Sequence, residues 1–398
     1  MIGIRIGRRA AVAGSLAAMA SPAVVRAQAD PIKIATLTPL TGAGGSYGPT
    51  MAKVAASVVE EVNKAGGVLG RRVVLVSEDD QTSPEPAVRA ARKLIDVDKV
   101  AAIMGTWASS VTTAVAPLCW ESKTFLCTVS GADSITLLPH QGFLIRTQPN
   151  STLQVTRVGE FILSLGAKKV FTMIPQTPFT QATFDILNAV LPKGGATHQS
   201  LIYDDKKTTY RTEVDQALRT SPDVILANGY TPDSIVLLKD LYRAGFKGKI
   251  LGFAYSINQK LIDQIGQPEV VEGVYTFAPS PAEGSTAYEK VKALVGSANP
   301  DPYTCQVYDH TNMVLMSMAF AKEASGTAIK DNIRKVTQGG GKPVDNAVDG
   351  LKAIASGEKV DYAGASGPCD FDDKGDILDC KFRYEQIKSG KFTVVKIA

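Results

Sequence analysis

Residues 100–129 read VAAIMGTWASSVTTAVAPLCWESKTFLCTV, and their pattern decides the fold class. A short apolar run over 100–104 is followed by a loop, a helix-like stretch over 110–122 and a second apolar run over 125–129. Short apolar runs of this kind are typical of strands that are covered on both faces. A strand, a helix and a strand at this spacing predict a parallel βαβ unit.

The same alternation extends in both directions along the chain. Before this unit, strands are predicted at 32–37 and 73–77, and helices at 50–65 and 85–97. After an extended segment at 146–150, a second set follows, with predicted strands at 169–174, 198–203, 223–227, 249–253 and 271–277 and predicted helices at 153–165, 179–191, 209–220, 234–244 and 261–266. Helices at 302–325 and 328–336 and a hairpin of 367–371 with 379–384 complete the prediction. Two α/β halves without a flexible linker predict two lobes around a cleft.

The first 29 residues have the features of a cleaved signal peptide. Arg5, Arg8 and Arg9 form a basic start, and 10–20 is an apolar run far shorter than the roughly 20 residues that span a bilayer. Small residues at 27 and 29 suit a signal peptidase, so we expect cleavage after Ala29 and a periplasmic location. An uncleaved anchor is the alternative, and the sequence leaves open whether export is twin-arginine or general secretion.

The charge balance argues against nucleic acid as a partner. Of the 43 basic residues, four fall within the predicted signal peptide, and the remaining 39 equal the 39 acidic residues. A neutral chain without a cluster of lysines and arginines lacks the positive surface that nucleic-acid binding requires. The 398 residues, less the 29 of the signal peptide, are enough for two lobes.

Two classes of function are disfavoured by motifs that fail. In 42–48 (GAGGSYG), Tyr47 occupies the last glycine position of a dinucleotide-binding G-x-G-x-x-G loop. The second class is nucleophilic catalysis, because no serine or cysteine stands beside a histidine with an evident acidic partner. We therefore expect neither a cofactor nor an enzyme, with a glycosidase-like activity as a remote alternative.

Residues 105–110 (GTWASS) predict an anion-binding site. They lie where the strand at 100–104 ends and a helix begins, at the carboxyl edge of a parallel sheet. Free helix N–H groups and serine hydroxyls at such an edge bind anions such as a carboxylate. The alternative interpretation is that Ser109 or Ser110 only caps the helix.

The five cysteines favour disulfides rather than a metal site. They lack C-x-x-C spacing, and the three histidines are scattered, which disfavours zinc. Cys369 and Cys380 flank a DDKGD turn at equal distances, so a hairpin would place them opposite each other and predicts a disulfide. Cys119–Cys127 is a weaker second pairing, and Cys305 is interpreted as a buried apolar residue.

An ordered series of segments resembles the solute-binding proteins of bacterial ABC importers of the leucine/isoleucine/valine-binding family. The series covers essentially the whole chain after residue 29. It includes 39–42 (PLTG), 61–71 (EVNKAGGVLGR), 143–147 (FLIRT), 228–230 (NGY) and 367–376 (GPCDFDDKGD).

The resemblance implies a type I periplasmic-binding-protein fold, an α/β architecture of two doubly wound parallel-sheet lobes joined by three hinge crossovers. Lobe 1 is expected at 30–149 and 277–366, and lobe 2 at 150–276 and 367–398. The implied function is binding of a small carboxylate-bearing ligand by a monomer and its delivery to an inner-membrane ABC permease. A periplasmic ligand-sensing receptor module is the alternative. The implied ligand-binding residues are Tyr47, Trp107, Ala108, Ser109, Ser130, Gly131, Ala132, Phe179, Tyr230 and Ala254.

Two departures from the family pattern bear on the ligand. Ala132 and Ala254 stand where the amino-acid binders of the family place a threonine and an acidic residue that hold the ammonium group. A buried ammonium group without an acidic partner costs several kcal/mol. We therefore expect a carboxylate without an α-ammonium group, enclosed by aromatic side chains that include Tyr255. The alternatives are an amino acid held through Asp133 or Asp309, and a role for Trp107 and Phe179 as ordinary core residues.

Overall fold

Strand and helix alternate through residues 30–398, the part of the chain that the computed structural model describes. The strands are β1 Ile32–Thr38, β2 Val73–Asp79, β3 Ala102–Thr106, β4 Phe125–Thr128, β5 Leu144–Arg146, β6 Lys169–Pro175, β7 Thr197–Tyr203, β8 Val224–Ala227, β9 Lys249–Phe253, β10 Tyr275–Pro279, β11 Lys342–Val344, β12 Val360–Gly364, β13 Gly367–Pro368, β14 Phe382–Lys388 and β15 Lys391–Ile397. The predicted signal peptide and its cleavage after Ala29 lie outside the described residues.

The helices are α1 Gly48–Lys64, α2 Pro84–Arg92, α3 Ser109–Glu121, α4 Ser151–Ser164, α5 Pro178–Val190, α6 Arg211–Leu218, α7 Thr231–Arg243, α8 Gln259–Ile265, α9 Thr286–Val295, α10 Pro302–Ala321, α11 Gly326–Thr337 and α12 Ala347–Ala355. A π-helical turn, Lys93–Val97, continues α2 and completes the helix predicted at 85–97. Within residues 30–398, no helix combines the length and the apolar character needed to cross a membrane.

Two sheets organise these elements. The first has the strand order β2-β1-β3-β4-β5, and all of its strands are parallel. The second has the order β15-β14-β10-β9-β8-β6-β7, in which β6 to β10 are parallel and β14 and β15 are antiparallel additions. A small third sheet joins β11, β12 and β13. The predicted doubly wound α/β fold is confirmed.

Each parallel sheet reverses its winding at one point. In the first sheet this point lies between β1 and β3, and in the second between β6 and β8. Ligands of open α/β sheets bind outside the carboxyl ends of the strands at such a point, because neighbouring loops there diverge to opposite faces. The loops after these four strands therefore define where the site should lie.

The chain passes between the two sheets three times, and two crossings lie elsewhere than predicted. Phe277 pairs with Phe253 and Tyr384 inside the second sheet, so the chain leaves that sheet after Pro279 rather than at 277. Cys369, Phe371 and Ile377 still pack in the core around the first sheet, so the return precedes β14 rather than starting at 367. Hydrogen bonds join the crossings, including one of 2.7 Å from Ser280 N to Lys381 O.

The predicted terminal hairpin and the Cys369–Cys380 disulfide are both wrong. β13 pairs with β12, while β14 pairs with β10 and β15. A bridge between Phe371 and Ile377 sets a register in which Cys380 is not opposite Cys369. Cys369 lies in the first core, Cys380 packs against the second, and both are free thiols.

Cys119 and Cys127 also remain free and are buried in the first core, so the second predicted pairing is not formed. Burial raises the pKa of the Cys119 thiol to about 12. Cys305 is a buried core residue of α10, as predicted.

Candidate functional site

Three of the four loops at the two reversal points meet around one cavity, which we call the first cavity. Its volume is about 60 Å³. The loop after β3, the loop after β6 and the loop after β8 all contribute to its wall. The lining residues are Trp107, Ala108, Ser109, Ser110, Val129, Gly131, Gln148, Gln154, Ile174, Pro175, Thr177, Pro178, Phe179, Asn228, Gly229, Tyr230, Tyr255 and Tyr303.

A second, larger cavity adjoins the first along the cleft between the sheets. Its volume is about 570 Å³, and it shares Gln154, Tyr255 and Tyr303 with the first cavity. Although it is larger, it does not contain the helix N-terminus that the sequence marked as an anion site. We therefore place the candidate site in the first cavity.

The candidate anion-binding element is the start of α3. Its N-cap residue is Ala108, which has no side chain that could accept a hydrogen bond, and no acidic residue lies in the first turn. The first N–H groups of the helix therefore remain available next to the cavity, together with the positive end of the helix dipole. This arrangement is suited to a carboxylate or a similar anion.

Ser109 does not act as a simple helix cap. Its Oγ accepts a hydrogen bond of 3.2 Å from Ala132 N, which turns the hydroxyl towards the 130–132 loop. A serine hydroxyl that accepts in this way still has its own proton to donate. The alternative in which Ser109 or Ser110 only caps the helix is not supported, because Ala108 occupies the cap position.

Aromatic rings form much of the remaining wall. Trp107 packs against Tyr47, Tyr230, Tyr255 and Tyr303 with ring centroids 5.5–6.1 Å apart. Burial raises the pKa of Tyr230 to about 12, and it also raises the pKa of the Tyr255 and Tyr303 hydroxyls. These hydroxyls are therefore neutral near pH 7, and the rings offer an apolar body with hydrogen-bonding edges.

The side of the cavity nearest the second sheet is equally free of charge. Phe179, at the start of α5, packs edge-on against Phe253 with centroids 5.4 Å apart. Gly131 lies beside Phe179, and a Cβ atom at Gly131 would stand 3.2 Å from the Phe179 ring. No side chain of Asp, Glu, Lys, Arg or His lines the first cavity within residues 30–398.

The structure brings six of the ten predicted ligand-binding residues to the first cavity: Trp107, Ala108, Ser109, Gly131, Phe179 and Tyr230. The other four lie nearby but do not line it. Tyr47 and Ala254 line the second cavity and meet across the cleft, where Tyr47 Oη donates to Ala254 O over 3.0 Å.

Ser130 and Ala132 serve the architecture of the loop instead. The Ser130 hydroxyl donates to Trp107 O over 2.8 Å, and Ala132 is fully buried. Roles for all ten residues in ligand binding remain predictions.

A buried arginine holds this loop in place. Arg146 Nη1 donates to Ala132 O over 2.5 Å, and Arg146 Nε donates to Asp376 Oδ1 over 2.8 Å. The other oxygen of Asp376 accepts from Thr136 and from Asn150, the N-cap residue of α4. One ion pair thus connects the cavity loop, the end of β5 and the first crossing between the sheets. The sequence contained both residues within segments that resemble the family, but nothing local indicated that they pair.

The two acidic residues proposed as alternative ammonium partners are occupied elsewhere. Asp133 accepts from Thr152 N over 3.1 Å and from Thr152 Oγ1 over 2.8 Å. Asp309 accepts from Tyr362 Oη, Ala365 N, Ser366 N and Ser366 Oγ, and burial raises its pKa to about 6. Neither residue lines the first cavity.

Sequence reasoning missed several polar or aromatic members of the wall, namely Gln148, Gln154, Thr177, Asn228 and Tyr303. They are separated by up to 155 positions in the chain. The extended segment at 146–150 gave a signal for Gln148, and the segment 228–230, which resembles the family, contained Asn228.

Comparison with known proteins shows which family has this architecture. The family described as "Periplasmic binding protein" matches residues 31–389 of the chain. The chain belongs to this periplasmic binding protein family. An amino acid binding protein of Pseudomonas aeruginosa is 26% identical over 297 residues, covering 73% of this chain and 78% of that protein. The chemotactic substrate-binding protein BasB of Halobacterium salinarum is 25% identical over 352 residues, covering 85% and 83%.

Two solved structures of transporter binding proteins show the same fold with different ligands. LivJ of Streptococcus pneumoniae, in complex with isoleucine, superposes with a TM-score of 0.77 at 19% identity, covering 92% of this chain and 99% of that one. A solute-binding protein of R. palustris, in complex with benzoate, superposes with a TM-score of 0.74 at 17% identity, covering 92% and 96%. At these identities the likeness establishes the fold alone.

Proposed function

We propose that this periplasmic binding protein captures a small carboxylate without an α-ammonium group, such as an aromatic or branched organic acid. The ligand is enclosed between the two sheets, and binding requires no chemical reaction. Ser109 and the start of α3 hold the carboxylate, and Trp107 and Tyr230 contact the apolar body.

A single observation carries the choice of ligand: among residues 30–398, the first cavity is lined by an uncapped helix N-terminus and by no charged side chain. A carboxylate gains charge-assisted hydrogen bonds there, about 1.5–3 kcal/mol for a bond to a charged group. An ammonium group would lose its hydration without meeting an acidic partner, which is unfavourable by several kcal/mol.

The rival ligand is an amino acid, and its support comes from the comparisons. One solved relative binds isoleucine and another binds benzoate, so both classes occur on this fold. The decision therefore depends on the residues of this chain, and both Asp133 and Asp309 are already engaged by other donors.

The proposal is tested by identifying the ligand that the protein carries from the periplasm. Native mass spectrometry of the unheated protein, followed by denaturation and analysis of the released molecule, is expected to yield a nitrogen-free carboxylic acid. Release of leucine, isoleucine or valine would contradict the proposed ligand class while leaving the binding function intact.

We also propose that the protein is exported, is cleaved after Ala29, acts as a monomer and delivers its ligand to an inner-membrane ABC permease. The second candidate function is ligand sensing without transport. It is favoured by the likeness to BasB, which is named as part of a chemotactic signal transduction system. Uptake of the labelled ligand that is lost on deletion of a permease supports transport, whereas uptake that is unaffected supports sensing.

Replacing Ser109 by alanine is expected to weaken ligand binding at least tenfold, about 1.4 kcal/mol, because the hydroxyl donor to the carboxylate is removed. Calorimetric titration with benzoate measures this loss. Ser122→Ala, at the opposite end of the same helix, is the matched control and should bind normally, since its hydroxyl donates to Leu118 O, Cys119 O and Thr124 Oγ1, none of which lines the first cavity. If the Ser109 variant and the wild type bind with equal affinity, the carboxylate does not bind at Ser109.

A further inference from the structure

Three buried glutamines form a hydrogen-bonded chain beside the first cavity. Gln306 Nε2, on α10, donates to Gln148 Oε1 over 2.8 Å, and Gln148 Nε2 donates to Gln154 Oε1 over 3.1 Å. None is more than 3% exposed, and Gln148 and Gln154 line the cavity. The hydrogen bonds between the three glutamines therefore connect a helix packed on the first sheet, the first crossing and α4.

The direction of this chain is fixed at one end. Gln154 Nε2 also donates to Pro149 O over 2.5 Å, and a backbone carbonyl oxygen only accepts. The nitrogen of Gln154 must therefore face Pro149, and its oxygen must face Gln148. Rotating the Gln148 amide would then bring two carbonyl oxygens together, so its orientation and that of Gln306 follow.

This direction is maintained although it leaves one acceptor unpaired. Gln306 Oε1 is buried and has no hydrogen-bond partner within residues 30–398. An unpaired buried carbonyl is unfavourable, so the contacts at the Pro149 end outweigh it. The arrangement is thus specific rather than interchangeable with its reverse.

Gln148 and Gln154 therefore have hydrogen-bond donors to spare beside the cavity, while their acceptors are occupied. Each amide nitrogen carries two N–H groups, and in the described part of the chain Gln148 and Gln154 each use one of them. Their oxygens face Gln306 and Gln148 respectively. A Cβ atom at Gly131 would lie 3.0 Å from Gln154 Nε2, which shows that this nitrogen lies against a lining residue beside Phe179.

We propose that Gln148 and Gln154 determine specificity by selecting ligands whose body carries a hydrogen-bond acceptor in addition to the carboxylate. Phenolic, ether and keto oxygens meet this requirement. A purely hydrocarbon body leaves the two N–H groups unpaired and is disfavoured. This inference rests on the proposed function, because it assumes a carboxylate held at Ser109.

The test compares ligands that match in shape and differ in the acceptor. The 3- and 4-methoxybenzoates are titrated against the corresponding ethylbenzoates, with benzoate as the reference. In the wild-type protein at least one methoxy isomer is expected to bind about tenfold more tightly than its ethyl counterpart. This comparison needs no variant and is unaffected by any loss of stability on mutation.

Variants then assign the preference to the glutamines. Gln154→Met or Gln148→Met should bring the methoxy-to-ethyl affinity ratio close to one. Gln306→Met is the matched control, since it breaks the same chain but leaves both donors at the cavity, and it should keep the ratio.

The outcomes separate this inference from the proposed function. If no carboxylate binds, the proposed function fails. If benzoate binds and the wild type does not distinguish methoxy from ethyl, the inference alone is overturned. It is also overturned if Gln154→Met weakens benzoate as strongly as methoxybenzoate, because the amide would then hold the carboxylate itself.

Discussion

Replacing Arg146 by methionine should lower the free energy of unfolding by about 3–5 kcal/mol, the range for breaking a buried ion pair from one side. Arg146 is fully buried, and Asp376 is 9% exposed. The Asp376 carboxylate would therefore stay largely shielded from water and would lose its cationic partner. Methionine keeps much of the side-chain volume, which separates the loss of charge from the formation of a cavity. Urea denaturation followed by circular dichroism measures the change.

The same substitution should also weaken ligand binding, because Arg146 holds Ala132 O and with it the loop that meets Ser109. Arg157→Met is the matched control: its ion pair with Glu160 is 2.9 Å long but about half exposed, and such pairs contribute about 0–1 kcal/mol. In the double variant with Asp376→Asn, part of the lost stability should return. A loss below 1 kcal/mol for Arg146→Met would show that the pair does not organise the site.

Replacing Trp107 by alanine should weaken binding of the ligand at least a hundredfold, about 2.7 kcal/mol. Trp107 contacts four tyrosine rings, so its removal opens the wall of the first cavity and lets the neighbouring rings move. Calorimetric titration with the best-binding carboxylate measures the affinity, and thermal unfolding shows whether the variant is folded at the temperature of the titration.

The chain contains only one other tryptophan, Trp120, which provides a matched control. Trp120 lies near the end of α3, away from the cavity, so Trp120→Ala should bind the ligand normally. In a Trp120→Phe background, the remaining fluorescence comes from Trp107 alone and should change on ligand addition. If the Trp107 variant binds the ligand normally, Trp107 is a core residue without a role in ligand binding.

Local patterns in the sequence were sufficient for the fold class and for the position of a helix start directly after β3. Strands such as β1 and β9 are short apolar runs between turn residues, and their periodicity is visible without tertiary information. The uncapped start of α3 follows from Ala108 standing where a polar cap residue is usual. These features depend on neighbours in the chain.

Features that depend on distant residues could not be predicted in the same way. Gln148 and Gln306 are 158 positions apart, and Arg146 and Asp376 are 230 apart, so no local pattern marks either pair. The terminal hairpin failed for a related reason. Symmetric spacing around the DDKGD turn suggested that the flanking segments pair, but β13 and β14 find their partners in β12 and β10.

The central claim is that the site accepts a carboxylate and rejects an α-ammonium group, and one pair of ligands isolates that difference. 3-Phenylpropanoate and phenylalanine differ only in the amino group, and calorimetry with the wild-type protein, stripped of endogenous ligand, gives the ratio of their affinities. Because no acidic side chain lines the first cavity in the described part of the chain, 3-phenylpropanoate is expected to bind at least a hundredfold more tightly, about 2.7 kcal/mol. Equal or tighter binding of phenylalanine would contradict the account.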